Sequence, residues 1–484
     1  MSRPRPPVHA AIVLSWAIAF GLVVDVWMDG PPGIGVLVAA VVAAVGLVMA
    51  ARPRAEALVF LGAGLVSVSF VVARASPVLV SLDLVAGLGL YALAGAFARE
   101  GAPVRAGLRS YVARGFAWVT SVRPALGIVA TPLTGLLPAG GRIFPVVPRA
   151  LIVSLPVGLA FALLLGSADA VFADLLRSPF ERVPFPELPR HLLIVGAAAM
   201  AFVVIAVRAA VPVRLAKAAQ PIEGGGLRAA DWISLLVTVD VVFALFVGVQ
   251  LLTFFGGRRH MLAESGLTFA EYARSGFWQM LAAATLTGAV IAGAWIGGRP
   301  PPGRRRAWFV VLSALLVGLS LVILASAFQR LVLYETAFGY TWPRLIPHAA
   351  ILFTGALLAC GLVAVVTGRT GWLPTAALAL GFLTLVGLNL LDPQAFIADR
   401  NIARVERGHG LDTSELASLS ADAVPAIVAA LPTLDPSTQV VVERDLSCLR
   451  EELRRGVERY GWTSFNAARD IALERSNPLA LPPC

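Results

Sequence analysis

Apolar stretches of about twenty residues recur along this chain from residue 10 to residue 391, separated by short connections rich in arginine. A helix of that length crosses a hydrocarbon core of about 30 Å. In lipid every backbone N–H and C=O must find its partner within the segment, so such stretches are helical if they span. Eleven fit the pattern, at about 10–28, 33–51, 57–73, 78–97, 150–168, 191–209, 231–255, 276–297, 307–329, 345–366 and 372–391. Composition points the same way, with 58% hydrophobic and 14% charged residues. A soluble domain has roughly 45–50% and 25%, and this chain could not cover its surface with polar groups in water. The expected fold is all-α, a polytopic transmembrane helix bundle of about eleven spans with a small helical C-terminal domain. The first stretch follows a basic start (Arg3, Arg5), as a signal peptide does. It is long, carries Asp25 and lacks a small-residue cleavage site, so it is expected to remain as a span.

The connections set the topology. With the N-terminus inside, twenty cationic side chains fall on inner segments, among them Arg52 and Arg54, seven arginines from Arg99 to Arg149, and Arg304 to Arg306. Outer loops hold nine, including Arg74, Arg190, Arg258, Arg274, Arg330 and Arg344. That alternation is the positive-inside bias. It predicts a plasma (inner) membrane protein with a cytoplasmic N-terminus, and an odd span count leaves the C-terminal tail extracytoplasmic. The net charge of +10 is spent on this arrangement. The arginines come in short clusters without the interleaved aromatics of a nucleic-acid surface, so no nucleic-acid partner is expected.

Four regions follow: four spans over 1–97, a basic connection over 98–149, seven spans over 150–391 and a tail over 392–484. In the connection Arg105, Arg109 and Arg114 recur near helical spacing with Tyr111, Phe116 and Trp118 between them. That is the pattern of an interfacial helix on anionic lipids, with a solvated basic loop as the alternative. The tail holds fourteen of the twenty-nine acidic residues. Asp435 before Pro436 reads as a helix start. Leu446, Leu449, Leu453 and Val457 make one apolar stripe, and Gly461 is placed to end the helix. The stripe could dock a protein partner. Cys448 and Cys484 could pair if the tail lies in an oxidising compartment.

Chemistry is harder to find. No histidine pair has zinc spacing, and no nucleophile elbow, phosphate loop or kinase signature is present, so no catalytic residue, metal or cofactor is expected. Asp25, Asp83 and Asp240 lie in or near apolar spans, where an ionisable group marks a pathway, a polar pocket or a packing ion pair. Thr268 and Glu271 have capping-box spacing ahead of the eighth span. Arg274 is in reach of Glu271, and Tyr272 and Trp278 suit an interface. Arg330, Tyr334 and Glu335 leave the ninth span as Arg344 and His348 open the tenth. Together they form either a pocket for an anionic group or ordinary snorkelling anchors.

Several of these residues fall in ordered motifs. Phe269-Ala-Glu271-Tyr272-Ala-Arg274-Ser-Gly276-Phe277-Trp278 is followed by Arg330-Leu-Val-Leu-Tyr334-Glu335, Phe338-Gly339-Tyr340-Thr341 and Arg344. Asp392-Pro393, Ile397-Ala-Asp-Arg400-Asn401, Arg404 and Trp462-Thr-Ser-Phe-Asn466 come next. The set resembles the bacterial membrane-protein family catalogued as domain of unknown function 4173, over roughly residues 230–475. Ser275 departs from an expected basic residue, and Trp342-Pro343 interrupts the stretch before Arg344. The resemblance implies no reaction. It does raise Glu271, Tyr272, Arg274, Arg330, Tyr334, Glu335, Arg344, Asn401 and Arg404 as functional residues beside His348. Three functions are open at this point. One is a non-enzymatic protein that binds or transports a small anionic or lipidic ligand under a regulatory tail. Another is a lipid-linked-donor transferase, for which the short loop around Asp29 is unfavourable. The third is an accessory or sensory subunit.

Overall fold

The computed structural model describes residues 10–28, 30–99, 102–108, 110–115, 187–210, 228–255, 277–298, 302–405, 407–408 and 410–484, with single positions at 121, 125, 129 and 300. Among the described residues all regular structure is helical. Nine helices there are long and apolar enough to cross a membrane, and a tenth carries the shorter apolar stretch Ile12–Asp25. This is an integral membrane protein. The expected span at 150–168 lies outside the described residues. The chain divides into two compact units, one of Met1–Ala102, Ser110–Leu215 and Glu452–Asp470, the other of Pro103–Arg109, Ala216–Glu451 and Ile471–Cys484.

The first unit contains α1 (Ala10–Met28), α2 (Ile34–Ala51), α3 (Ala55–Ala73), α4 (Pro77–Phe97) and α5 (Glu187–Ala210). Hydrophobic burial gives little drive between helices already in lipid, so small residues and interhelical hydrogen bonds carry the packing. A Cβ on Gly87 would come within 2.6 Å of Val68 Cγ2, and one on Gly64 within 2.7 Å of the Tyr91 ring. α3 and α4 therefore approach closely, and Tyr91 donates across to Ala40 O on α2 at 2.8 Å. Val13, Ala17, Phe202, Val203 and Ala206 fill the core where α1 meets α5.

The Trp462–Asn466 element is fastened to the turns of this unit. Ile34 N–H, orphaned at the start of α2, donates to Phe465 O at 2.9 Å. Buried Asn466 donates its amide to Val71 O at 2.9 Å and Arg74 O at 2.8 Å, at the end of α3. Its Oδ1 accepts from Arg469 N–H. This part of the tail thus lies on the face that carries the α1–α2 and α3–α4 turns. Arg114 departs from the leaflet-facing picture drawn for the basic connection. It is 3% exposed, donates to Ala96 O at 2.6 Å and sits 4.4 Å from the Phe97 ring centroid. Packing against α4 has claimed it.

The second unit contains α6 (Ala229–Phe255), α7 (Phe277–Gly298), α8 (Arg304–Phe338), α9 (Trp342–Thr367) and α10 (Leu373–Leu391). The tail adds α11 (Pro393–Val405), α12 (Thr413–Ala417), α13 (Val424–Ala430), α14 (Pro436–Tyr460) and α15 (Ala467–Ser476), the last two shared with the first unit. α8 has 35 residues, about 52 Å at 1.5 Å per residue. It therefore overruns the expected span 307–329 at both ends and takes in Arg330, Tyr334 and Glu335. Trp342-Pro343 does not disrupt the next helix: it opens α9, with proline in the first turn, where no donor is lost. In the tail, Asp435 Oδ1 accepts from Thr438 N–H at 3.0 Å. Gly461 takes φ +61° beyond Tyr460, the end of α14. Cys448 and Cys484 form a disulfide. Arg450 holds the same terminal segment through Ser476 O and Leu479 O. Of the apolar stripe, Leu446 and Leu449 line a small hollow with Leu416, Leu419 and Val424.

Candidate functional site

The polar residues expected at the α8–α9 turn gather around the end of α8. The last four carbonyls of a helix have no partner within it, and the macrodipole makes that end negative. Here two arginines answer both demands. Arg404 of α11 donates to Ala337 O at 2.8 Å and Thr336 O at 3.4 Å. Arg344 of α9 donates to Phe338 O at 2.9 Å and Gly339 O at 2.7 Å. Gly339 turns the chain at φ +84°. A Cβ there would stand 2.5 Å from Arg404 Nη1 and 2.9 Å from Asn401 Oδ1, so only glycine fits.

Asn401 completes the joint. Its Oδ1 accepts from Tyr340 N–H at 2.7 Å and its Nδ2 donates to Tyr340 O at 2.7 Å. The two bonds also settle the amide's orientation, since the flipped amide would oppose donor to donor. Tyr340 stands edge-on to Phe396, centroids 5.7 Å apart. α11 is itself capped by Asp392, which accepts from Ala395 N–H at φ +53°, a left-handed position that a short polar side chain tolerates. The first helix of the tail is thus locked onto the α8–α9 turn.

Beneath the lock lies a pair without such an explanation. Glu335 falls on the buried stripe of α8 and is 2% exposed. Its Oε1 is 3.6 Å from His348 Nδ1 on α9, and among the described residues neither atom has a hydrogen-bond partner. The His348 ring stands edge-on to Phe328, centroids 4.6 Å apart. Arg344 covers the Tyr334 ring at 4.6 Å, and Arg330 lies one turn earlier on α8. The Arg344 charge also reaches the tail. Asp412 is held below the ordinary carboxylate range chiefly by the Ser414 hydroxyl and the Glu415 N–H, with Arg344 adding to the effect. Glu415 is pushed up by burial and by Asp412, against Arg344.

The site thus joins Tyr334 and Glu335 of α8, the helix that bears Arg330, and Arg344 and His348 of α9 with Asn401 and Arg404 of α11. Glu271, Tyr272 and Arg274 lie outside the described residues. Two of the three intramembrane acids have partners of their own. Asp25 faces His191, Nδ1 2.9 Å from both carboxylate oxygens. Asp83 accepts from Ser67 Oγ at 3.4 Å. Both pairs belong to the first unit, whereas Asp240 belongs to the second. Among the described residues no three His, Cys, Asp or Glu side chains gather as metal ligands. The His191–Asp25 and Asn466 contacts were not foreseen. A signal for the former existed, since Asp25 near the end of the first span and His191 at the start of the sixth fall on the same predicted face.

A family model described as a domain of unknown function (DUF4153) matches residues 60–430. No curated protein matches the chain, and no solved structure does. The matched family is numbered differently from the one its motifs resemble, while the kind of protein, polytopic and of unknown function, is the same. The match also reaches back through α3 and α4, which those motifs did not cover. Much of the motif set caps helix ends, a demand that any polytopic bundle must meet.

Proposed function

The chain belongs to the DUF4153 family of unknown function, and from that premise we propose that it binds, and moves, a small ligand with an anionic group at the α8–α9 turn, under a regulatory tail. The observation that carries this reading is the Glu335–His348 pair. Their facing atoms, Oε1 and Nδ1, are buried 3.6 Å apart and have no hydrogen-bond partner among the described residues; a buried acid–base pair of this kind is costly to keep, and such groups mark function within a membrane protein. Arg344 beside them supplies the cation for a carboxylate or phosphate, from a solute or a lipid headgroup. The lock through Asn401 and Arg404 ties the tail to the turn that carries Arg344, so a tail that shifts would move the site.

Two features support an extracytoplasmic position for tail and site. The α8–α9 turn falls on the arginine-poor side of the alternating connections. The Cys448–Cys484 disulfide belongs in an oxidising compartment. The test is thermal stabilisation of the purified protein by a panel of carboxylates, phosphates and anionic lipids. A ligand bound to the folded state raises stability by RT ln(1 + [L]/Kd). The expected result is stabilisation by at least one compound, weakened by Glu335→Gln or His348→Gln in variants that remain folded. If nothing in the panel stabilises the protein, or both variants respond as wild type does, the site is a packing joint.

A further inference from the structure

A second buried group lies away from this turn. α6 packs against α7 and α8 with a stripe of Trp232, Leu236, Phe243 and Val247, and Asp240 occupies the stripe's centre, at the position an apolar residue would fill. It is 4% exposed, and among the described residues neither carboxyl oxygen has a hydrogen-bond partner. Its neighbours can be found from the helix rise. Trp232, Trp295 and Phe309 form one aromatic layer, with centroids 5.2 and 5.5 Å apart. Gly298 of α7 lies against Trp232. Asp240 is eight residues beyond Trp232 and Thr287 eight before Trp295, so both stand about 12 Å from that layer at 1.5 Å per residue. α7 runs opposite to α6 and α8, which places the two at one level.

That level is polar on three helices. Thr287 and Ser320 hydroxyls lie 3.0 Å apart, Ser320 donates to Leu316 O, and Thr287 is within reach of Ala283 O. Asp240, Thr287 and Ser320 are all buried. The hydroxyl protons are taken up between the two side chains and their own helix carbonyls, so what remains is acceptor lone pairs. A carboxylate needs donors, whereas a carboxylic acid needs an acceptor. A bare charge at this depth is costly and must be met by a proton or a cation. Ser313, whose hydroxyl also lacks a partner among the described residues, stands about 6 Å from the aromatic layer, a step between that layer and Asp240.

We infer that Asp240, at the level of Thr287 and Ser320, is an intramembrane proton-binding site within the α6–α7–α8 group. The site stands apart from the ligand reading of the α8–α9 turn and does not depend on it. The experiment uses the full chain in lipid nanodiscs at neutral pH, treated with dicyclohexylcarbodiimide. This apolar reagent takes the proton of a carboxylic acid onto its nitrogen while the carboxyl oxygen adds to its carbon. Mass spectrometry of the α6 peptide is expected to find the adduct on Asp240. Asp240→Asn should lose the adduct while melting as wild type does. Added sodium at fixed pH should leave the labelling unchanged, and a water-soluble carbodiimide should not produce it. An unlabelled Asp240 overturns the inference. Protection by sodium overturns it in favour of a sodium site, and equal labelling by the water-soluble reagent overturns it in favour of a solvated carboxylate. If Asp240→Asn does not fold, the carbonyl-stretch infrared band of a protonated acid in the wild-type protein, shifted by deuterium exchange, decides the question. Its absence likewise overturns the inference.

Discussion

Replacing Asn401 by alanine should loosen the tail from the α8–α9 turn by an amount that can be worked out. The side chain makes two bonds of 2.7 Å to one residue, taking the N–H and offering a donor to the C=O of Tyr340. A net hydrogen bond contributes about 1 kcal/mol, and a group left unpaired away from water costs more. Loss of both comes to about 2 kcal/mol, roughly a 30-fold rise in local opening at 1.4 kcal/mol per factor of ten. Asn401→Asp should be no milder, because it keeps the acceptor for the N–H but sets a carboxylate oxygen against Tyr340 O. Hydrogen exchange on the full-length protein reads this directly, since exchange by local opening reports its free energy. Peptides covering 336–345 and 393–405 should exchange faster in both variants, and peptides from α13 should not. Rates within a factor of about two of wild type would mean that the amide contributes nothing that water does not replace and that Asn401 does not hold the tail to the turn.

Other consequences follow from the same geometry. Gly64→Val should part α3 from α4, because the added carbons meet the Tyr91 ring. Overpacking of this kind costs about 1–3 kcal/mol, and a lower melting temperature of the purified protein checks it. Cys448→Ser opens a link across 36 residues, for which chain entropy gives a loss of up to about 4 kcal/mol, measurable as earlier thermal exposure of α14. Without reductant, Cys360 should be the sole cysteine of the wild-type chain to take up a thiol reagent. Asp435 is held down to about 2 by the Ser437 and Thr438 side chains and the Thr438 N–H. Its folded value lies below its unfolded one, so its contribution to α14 is complete above about pH 4 and fades as pH falls towards 2. Asp435→Asn should flatten the acid limb of α14 unfolding followed by hydrogen exchange.

The bundle was legible because its signal is long and repeated. Spans expected at 33–51, 57–73 and 78–97 stand as α2, α3 and α4 at Ile34–Ala51, Ala55–Ala73 and Pro77–Phe97. The Asp435-Pro436 start and the Gly461 stop of α14 were legible for a different reason, since cap chemistry is local. The length of α8 was not. Hydropathy fades after residue 329, and what carries the helix to Phe338 is capping by Arg344 and Arg404, partners distant in sequence. The residues that gather at the α8–α9 turn could be picked out in the sequence, but the contacts of each could not. Arg404 and Asn401 read as ligand groups in sequence and act as fasteners in space. Arg114 read as basic surface and is buried against Phe97. Which acids would find partners depended on packing between helices: His191 meets Asp25 and Ser67 meets Asp83, while Asp240 meets no partner among the described residues.

The proposed ligand site stands or falls with the side of the membrane on which the tail lies. In the first unit the tail touches the α1–α2 and α3–α4 turns, and in the second it touches the α8–α9 turn. Alkaline phosphatase and fluorescent-protein fusions at residues 392 and 484 report the compartment of each end. Active phosphatase and a dark fluorophore are expected at both positions, with the ligand site facing outward and the disulfide formed in its native compartment. A fluorescent, phosphatase-inactive tail would put Glu335, Arg344 and His348 at the cytoplasmic face and contradict the extracytoplasmic site.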